Sequence, residues 1–392
     1  MNRLILKKKE EIRIKHGHLW VFSNEVERIE NDGSTIENGD LISISDHKGN
    51  YIASGFYNTN SLITARILTN KVEFDLNSLF EEKLSAAFEL RRRIYPERNS
   101  FRMVFSESDY LPGLIIDKYN NSFVLQIYSS GMEKRTELII RILKEKYDAV
   151  NIFSRNEEYF RKLECLPEED KVYSGSRTDE IIDDGFVKYK IDFNSSQKTG
   201  FYFDQCDNRE FVGRFCKDKS VLDCFCNSGG FGLHAALNGA GSVTFVDSSS
   251  QELKNASGNF VLNGFNSESQ FIDSDVFDYL EKCISQNLKF DAVIIDPPAF
   301  AKNKKSLPKA IKGYEKLNRL AMQIVTPGGF LFTSSCSYHL KDSQFLEILN
   351  SASVKSGREV QQFYYNNASK DHPKNPAMEE TSYLKFSALS VL

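Results

Sequence analysis

The stretch that decides the fold is Val221-Leu222-Asp223-Cys224-Phe225-Cys226-Asn227-Ser228-Gly229-Gly230-Phe231-Gly232. Its apolar start is typical of a buried parallel strand, and the strand ends in an acidic residue followed by glycines. Glycine lets the backbone turn tightly and approach a ligand, and a helical pattern begins directly afterwards at Leu233. We therefore interpret the stretch as a cofactor loop. Because its glycines do not follow G-x-G-x-x-G, an uncharged or zwitterionic ligand suits it better than a pyrophosphate.

Three more acidic residues end or follow predicted strands later in the chain. Asp247 ends the strand over residues 242–246, at about the 20-residue spacing at which a carboxylate reaches ribose hydroxyls. Asp275 lies in the next such segment, and Asp296 ends the apolar strand over residues 292–295. Ligands of open α/β sheets bind outside the carboxyl ends of the strands, so the four acids predict a binding edge.

In this order the motifs resemble a class I S-adenosylmethionine (SAM) methyltransferase with a Rossmann-like α/β domain. The resemblance implies SAM as the cofactor, ribose binding by Asp247, adenine binding by Asp275 and a reacting edge at Asp296. It also implies that residues 197–205 pack over the cofactor, with Lys198 as the candidate for the methionine carboxylate. The implied cofactor-binding residues are Lys198, Phe201, Asp223, Asn227, Gly229, Gly230, Asp247, Asp275 and Asp296.

Length and composition limit the class of protein. A chain of 392 residues is too long for one ordinary core, so two or three domains are expected. No segment reaches the roughly 18 apolar residues of a membrane span and no signal sequence is recognisable, so we expect a cytoplasmic protein without membrane contact. Seven irregularly spaced cysteines indicate reduced thiols, and no pattern predicts a metal site.

A net charge of −4 gives no global signal for nucleic acid, so any RNA-binding surface has to be local. Lysines occupy residues 7–9, arginines occupy residues 91–93, and residues 302–319 carry seven basic side chains against Glu315 alone. Each cluster is a candidate phosphate-binding surface, and the alternative for each is an ordinary solvated face.

The chain is predicted to be multidomain. Residues 1–72 read as a small β-barrel, with strands over residues 12–14, 41–44, 51–54 and 62–68. Residues 16–22 and 55–58 resemble the RNA-binding PUA domain, which favours turn or RNA-contact roles for the histidines at 16 and 18 over metal binding. Residues 73–182 predict a central α+β insert, and residues 183–392 predict the methyltransferase domain.

The segment Asp296-Pro297-Pro298-Ala299-Phe300 carries the predicted substrate contacts. Two prolines fix the backbone into a rigid rim, where Asp296 can grip an extruded base and Phe300 can stack on it. The predicted substrate-binding residues are Pro297, Pro298, Phe300 and Lys302, and the predicted catalytic residues are Cys336 and Asp296. The motif alone does not choose between methylation of nitrogen and of carbon.

Cys336, in Ser335-Cys336-Ser337, decides that choice. Carbon 5 of a pyrimidine is a poor nucleophile until a thiolate adds to carbon 6, and the segment resembles the nucleophile motif of pyrimidine-C5 methyltransferases. The basic run over residues 302–319 is a candidate for lowering the thiol pKa from about 8.5. The alternative is a cysteine that only packs in the core.

The whole chain resembles the RlmI-like branch of 23S rRNA cytosine-C5 methyltransferases. Enzymes of the larger cytosine-C5 rRNA methyltransferase family carry a second cysteine after the proline of the Asp-x-Pro motif, where this chain has Pro298-Ala299. The base that removes the C5 proton therefore stays open among His339, Asp296 and water. The tail motif Asp371-His372-Pro373 also matches the branch, and a capping role is as well supported as catalysis.

The sequence thus predicts a SAM-dependent RNA methyltransferase that makes 5-methylcytosine, with 23S rRNA or a large-subunit precursor as the implied partner and a homodimer as an alternative to a monomer. One rival is guanine-nitrogen methylation with a structural Cys336. The other is a non-catalytic RNA-binding or ribosome-assembly factor.

Overall fold

The computed structural model describes residues 2–33, 35–176, 178–193, 199–301 and 303–392. The chain folds into two compact units. The first comprises Met1–Ile182, Ile191–Phe201 and Lys370–Thr381, and the second comprises Asp183–Lys190, Tyr202–Ser369 and Ser382–Leu392. The ranges 1–72 and 73–182, which the sequence assigns to separate domains, fall in one unit, and the division into three domains stays a prediction.

The first six strands form one curled sheet in the order β2-β6-β5-β4-β1-β3. The strands are β1 Arg3–Leu6, β2 Trp20–Phe22, β3 Val26–Glu30, β4 Leu41–Ser45, β5 Tyr51–Tyr57 and β6 Ile63–Thr69. All pairings are antiparallel except that of β1 with β4, and bulges in the antiparallel pairs increase the twist. Alternate side chains such as Ile42 and Ile44 fill the core of this sheet.

The predicted strand over residues 12–14 is wrong, because Glu11–Lys15 form the short helix α1. An apolar alternation of three residues does not distinguish a strand from one helical turn. The helix places the Arg13 guanidinium 2.5 Å from Glu25 and in contact with the ring of His18. His18 is buried in this polar cluster, which supports a structural role rather than a metal site.

The first unit also contains a five-stranded sheet in the order β11-β10-β9-β8-β7, with helices beside it. Its strands are β7 Ser100–Phe105, β8 Leu114–Tyr119, β9 Ser122–Ile127, β10 Asn151–Ser154 and β11 Val172–Ser174. The helices are α2 Leu76–Ile94, α3 Ser130–Glu133, α4 Thr136–Lys146 and α5 Glu158–Leu163. Asp75 caps α2 by accepting from the Ser78 amide, and buried side chains of α2 and α4 pack with those of the sheet.

The tail motif at residues 371–373 belongs to the first unit. The Arg91 guanidinium donates to the Asp371 carbonyl at 2.8 Å, and the Arg102 amide donates to Asp371 Oδ2 at 3.0 Å. Asp371 Oδ1 lies 2.8 Å from Nδ1 of the buried His372. These contacts support the capping role for this loop.

The second unit contains a seven-stranded sheet in the order β16-β15-β14-β17-β18-β20-β19. Its strands are β14 Ser220–Cys224, β15 Ser242–Asp247, β16 Glu268–Asp273, β17 Phe290–Ile295, β18 Val325–Ser335, β19 Val360–Asn366 and β20 Lys385–Val391; β12 Asp179–Asp183 and β13 Lys188–Asp192 form a separate two-stranded sheet. The helices are α6 Cys206–Gly213, α7 Gly230–Leu237, α8 Ser250–Leu262, α9 Val276–Ser285, α10 Leu307–Ile324 and α11 Asp342–Ser356.

Strands β14 to β18 run parallel, and β20 joins β18 and β19 antiparallel. The chain builds outward from β14 through β15 to β16 and then returns to place β17 on the other side of β14. Such a reversal is the switch point at which open α/β sheets bind ligands. The predicted Rossmann-like domain is confirmed, and its switch point lies at the ends of β14 and β17.

Among the described residues, no helix combines the length and apolar character that a membrane crossing requires.

Candidate active site

The glycine loop joins β14 to α7 through a backbone with several positive φ angles. Asn227 has a φ of 48° and Gly229 a φ of 90°. A Cβ atom on Gly230 would lie 2.4 Å from Nε of the buried Arg209, and one on Gly232 would lie 2.2 Å from the Phe245 ring. The sequence explains the glycines by a tight turn and the approach of a ligand, and the structure shows that packing against Arg209 and Phe245 also requires two of them.

Asp223, near the end of β14, is buried, and its two carboxylate oxygens differ in their hydrogen bonding. Its Oδ2 accepts from the Gly232 amide at 2.8 Å. Its Oδ1 has no hydrogen-bond partner within the described part of the chain and is shielded from solvent. Burial raises the pKa of this carboxyl group to about 7. A buried acceptor without a partner is costly, so the residues present fit a ligand that brings a donor to this point.

Asp247 and Asp275 occupy different positions at the sheet edge. Asp247 accepts from the Asn227 amide at 3.0 Å and from the Ser249 amide at 2.9 Å, so it ties β15 to the glycine loop. Asp275 is exposed and caps α9 by accepting from the Phe277 amide at 2.8 Å. The structure therefore shows a structural contact for each carboxylate, and the ribose and adenine roles stay predictions.

Asp296 follows β17 and is held by a series of amide side chains. Gln205 Nε2 donates to Asp296 Oδ1 at 2.8 Å and lies 3.1 Å from Ser334 Oγ. Asn208 Nδ2 donates to Gln205 Oε1 at 2.7 Å, and Asn366 Nδ2 donates to Asn208 Oδ1 at 2.8 Å. Burial and the negative charge of Asp204 raise the pKa of Asp296 to about 6. The side chain is thus oriented, and it titrates close to neutral pH.

The proline rim leads from Asp296 to Phe300. Pro297 is buried and Pro298 is exposed. The half-buried Phe300 ring lies 4.5 Å from the ring of Tyr314, measured between centroids, and also faces Gly313 of α10. One side of the ring is therefore occupied by α10, the Phe277 ring is stacked at a centroid distance of 6.4 Å, and the contact of Phe300 with a base stays a prediction.

Cys336 follows β18 and lies beside this rim. Its Sγ is 3.6 Å from the Pro297 carbonyl oxygen, to which the thiol donates. The side chain is half-buried, whereas the cysteines at 206, 216, 224, 226 and 283 are buried and that at 165 is exposed. Burial raises the pKa of Cys224 and Cys226 well above the usual value, as expected for packing residues.

Ser337 fixes the backbone directly after the thiol. Its Oγ lies 2.8 Å from the Tyr314 hydroxyl and accepts from the Ala301 amide at 3.1 Å. The buried Lys385 ammonium donates to the Ser337 carbonyl at 2.9 Å. Cys336 is thus held between the rim, α10 and the start of β20.

Tyr202 lies close to Asp204, Asp296 and Cys336. Burial raises its pKa, and the charges of Asp204, Cys336 and Asp296 raise it further. The structure therefore brings Cys336 and Asp296 into one neighbourhood, and their catalytic roles stay predictions.

Two of the residues that the sequence assigns to the site, Lys198 and Lys302, lie outside the described residues. Phe201 is buried in the first unit. His339 is half-buried, with its ring 5.1 Å from that of Tyr338. Within the described ranges, no group of three or more histidine, cysteine or acidic side chains is placed to hold a metal ion.

Sequence reasoning missed Gln205, Asn208 and Lys385. Two amide side chains three residues apart were one available signal, because on a helix this spacing puts them on one face, and here Gln205 caps α6 while Asn208 lies within it. A lysine at the start of the apolar run at 385–391 was another, because such a residue is seldom buried without a function or a partner.

Comparison with known proteins agrees with this geometry. A family model for S-adenosylmethionine-dependent methyltransferases matches residues 170–386, and one for PUA-like domains matches residues 4–70. The ribosomal RNA large subunit methyltransferase I of Aliivibrio fischeri is 38% identical over 396 residues, covering 99% of each chain. That of Photobacterium profundum is 36% identical over 388 residues, covering 97% of each.

The fold is also similar to the crystal structure of SMU.776 complexed with SAH, with a TM-score of 0.85, 20% identity and full coverage of both chains. Fold, glycine loop and family match together define a SAM-dependent methyltransferase. Within that class, the chain belongs to the ribosomal RNA large subunit methyltransferase I family.

Proposed function

We propose that the protein transfers a methyl group from SAM to C5 of a cytosine in 23S rRNA, through a covalent bond between Cys336 and C6 of the base. The observation that carries the proposal is the position of Cys336 Sγ, 3.6 Å from the carbonyl of Pro297, next to Asp296. A thiol at the reacting edge is needed for carbon methylation, whereas nitrogen methylation needs none. The large-subunit rRNA substrate is supported by the names of relatives that match along the whole chain.

The cofactor would be held at the ends of β14 and β15. Asp223 offers the oxygen that has no partner in the described part of the chain, the loop containing Asn227, Gly229 and Gly230 offers backbone, and Asp247 lies beside that loop. Asp275, Phe201 and Lys198 complete the assignment that the family resemblance implies. Bound SAM supplies an electrophilic methyl group on a positively charged sulfur.

Cys336, Asp296 and a general base would act on the cytosine ring. Cys336, as the thiolate, adds to C6, and the displaced electron pair makes C5 a nucleophile that takes the methyl group. A base then removes the C5 proton, the C5–C6 double bond re-forms, and the thiolate leaves. Asp296 accepts from the exocyclic amine and orients the ring. His339, Asp296 and water remain the three candidates for the base.

RNA would be held by the N-terminal sheet and by basic side chains outside the rim. Lys304 and Lys305 are exposed in the turn before α10, and Lys309 and Lys312 are exposed in the first turns of α10. Exposed cations at this place fit the phosphates that flank an extruded base.

The proposal is tested by product analysis with tritium-labelled SAM. The protein is incubated with rRNA from cells that lack this enzyme, and the RNA is digested to nucleosides. We expect label in 5-methylcytidine, its loss in Cys336→Ala, and its retention in Cys165→Ala, which alters an exposed cysteine of the first unit. Label in a methylguanosine that survives Cys336→Ala would favour guanine-nitrogen methylation, and no label in any RNA would favour a non-catalytic factor.

A further inference from the structure

Asp204 is a second carboxylate of the site with an incomplete set of hydrogen bonds. It lies in the turn before α6, one residue before Gln205. Its Oδ2 accepts from the Tyr383 hydroxyl at 2.6 Å. Its backbone carbonyl accepts from the Ser369 amide at 2.7 Å and from the Ser369 hydroxyl at 3.0 Å. The side chain and the backbone are therefore both fixed.

The other carboxylate oxygen, Oδ1, is shielded from solvent and has no hydrogen-bond partner among the described residues. A carboxylate oxygen accepts hydrogen bonds only, and leaving it buried and unpaired is unfavourable. A folded protein retains such an arrangement where a ligand or a bound water completes it. Within the described ranges, Asp204 Oδ1 therefore has an unused acceptor position.

The surroundings of Asp204 indicate the chemistry of that donor. The adjacent Gln205 donates to Asp296, and the charge of Asp204 contributes to the raised pKa of Asp296, so the two carboxylates are close. Asp223 is a third carboxyl group, close to Asp296, and the buried Arg209 is a cation that lowers the pKa of both Asp223 and Asp296. An excess of carboxylates attracts N–H donors and cations and repels phosphates and carboxylates.

We propose that Asp204 Oδ1 accepts a hydrogen bond from an N–H group of a bound ligand, and that Tyr383 positions it for this contact. Two ligands of the proposed reaction carry such a group, namely the ammonium of the cofactor and the exocyclic amine of the target base. The proposal rests on the proposed function for the second ligand only, because cofactor binding is measured without RNA.

The test uses the full-length chain with Asp204→Asn, which keeps the shape and removes the charge, and Tyr383→Phe, which removes only the hydroxyl. Asp278→Asn, an exposed carboxylate on α9, is the matched control. Calorimetry gives the Kd for SAH, and methylation assays give kcat and KM for RNA. Thermal unfolding of each variant with and without SAH reports on folding.

If the cofactor ammonium is the donor, Asp204→Asn weakens SAH binding about tenfold or more. If the base amine is the donor, SAH binding stays within about twofold while kcat/KM for RNA falls about tenfold or more. Tyr383→Phe should cause a smaller loss of the same kind. A purely structural role would instead lower the melting temperature without a specific loss in either measurement.

The proposal is overturned if Asp204→Asn matches Asp278→Asn in both the SAH Kd and kcat/KM. Should Asp204→Asn fail to fold, Tyr383→Phe decides, and an unchanged Kd and kcat/KM in that variant overturn the proposal. A wild-type protein that binds SAH but methylates no RNA would refute the proposed function and leave the SAH measurement valid.

Discussion

Gln205 donates to Asp296 at 2.8 Å, and this contact links a buried series of amides to the reacting edge of the sheet. A single acidic side chain at the end of a strand can adopt several rotamers. Here the amide of Gln205 holds one oxygen, and Asn208 in turn holds Gln205 at 2.7 Å. The other oxygen of Asp296 is therefore directed by residues that do not themselves belong to the proline rim.

The first prediction concerns Gln205. Replacing Gln205 with Leu removes the hydrogen bond that lowers the pKa of Asp296, so that pKa rises above about 6. If the ionised carboxylate is the active form, the acid limb of the kcat/KM profile moves to higher pH. At neutral pH, kcat/KM should fall about tenfold. The measurement is a pH–rate profile from about pH 5 to 9, and an unshifted acid limb would contradict the role of Gln205.

The second prediction concerns Gly230. Its replacement with Ala puts a Cβ atom 2.4 Å from Nε of Arg209, which is buried with its guanidinium 5.9 Å from the Phe231 ring centroid. Because Arg209 cannot move aside freely, we expect a loss of about 1–3 kcal/mol in the free energy of unfolding. Urea unfolding followed by fluorescence measures it.

Gly258 on α8 is the matched control, because nothing lies within 4 Å of its Cβ position. Gly258→Ala should stabilise the helix by about 0.5–1 kcal/mol. Equal stability of the two variants would show that Arg209 does not restrict the loop.

The third prediction concerns pH. Burial raises the pKa of Asp223 to about 7 in the folded protein, above the value near 3.8 that it has when exposed. A carboxyl group with a raised pKa contributes stability that is present below pH 3.8 and is lost as the pH rises through about 7. The ligand-free protein should therefore lose stability between about pH 4 and 7 by up to about 1.4 kcal/mol per pH unit from this group.

Asp223→Asn should show a weaker decline over the same pH range, because it cannot ionise. Thermal unfolding of both proteins at several pH values tests this difference. Parallel stability curves for the wild type and Asp223→Asn would show that Asp223 does not carry the dependence.

The fourth prediction concerns the cation near Cys336. The sequence suggests the basic run at 302–319 as the source of positive charge that lowers the pKa of the Cys336 thiol. Lysines 304, 305, 309 and 312 of that run are exposed. Lys385, by contrast, is buried and donates to the carbonyl of Ser337, the residue after Cys336. A nearby cation favours a thiolate. Lys385→Met should therefore slow alkylation of Cys336 at about pH 7.5 by about tenfold, measured by mass spectrometry.

Lys309→Met is the control for Lys385→Met, because it removes an exposed lysine of α10. We expect it to leave alkylation of Cys336 unchanged. A slower reaction in Lys309→Met and not in Lys385→Met would return the role to the basic run.

Much of the fold follows from sequence because it depends on periodicity and on what ends each element. Apolar runs that end in Asp223, Asp247 and Asp296 specify parallel strands whose ends meet at one edge, and the structure has them there. The local sequence pattern predicts a strand at residues 12–14, and this prediction is wrong. The structure has a helix there, in which Arg13 contacts Glu25, twelve residues further along the chain.

The sequence singles out Cys336 and Asp296 because one short motif contains each of them, and their catalytic roles stay predictions. Hydrogen-bond partners that come from far along the chain could not be predicted. Gln205 and Asp296 are 91 residues apart, and Lys385 and Ser337 are 48 apart, so only the folded arrangement pairs them. Asp275 shows a further limit, because the same residue type at a strand end also serves as a helix cap.

The most direct test of the central claim uses RNA that contains 5-fluorocytidine. A fluorine at C5 cannot leave as a proton does, so the bond between the thiolate and C6 should persist after methyl transfer. We predict a complex of protein and RNA that resists denaturant, requires SAM, and is lost in Cys336→Ala, with the RNA fragment mapped to the peptide containing Cys336. Methylation of cytosine-containing RNA without any such complex in the wild type would contradict the covalent mechanism.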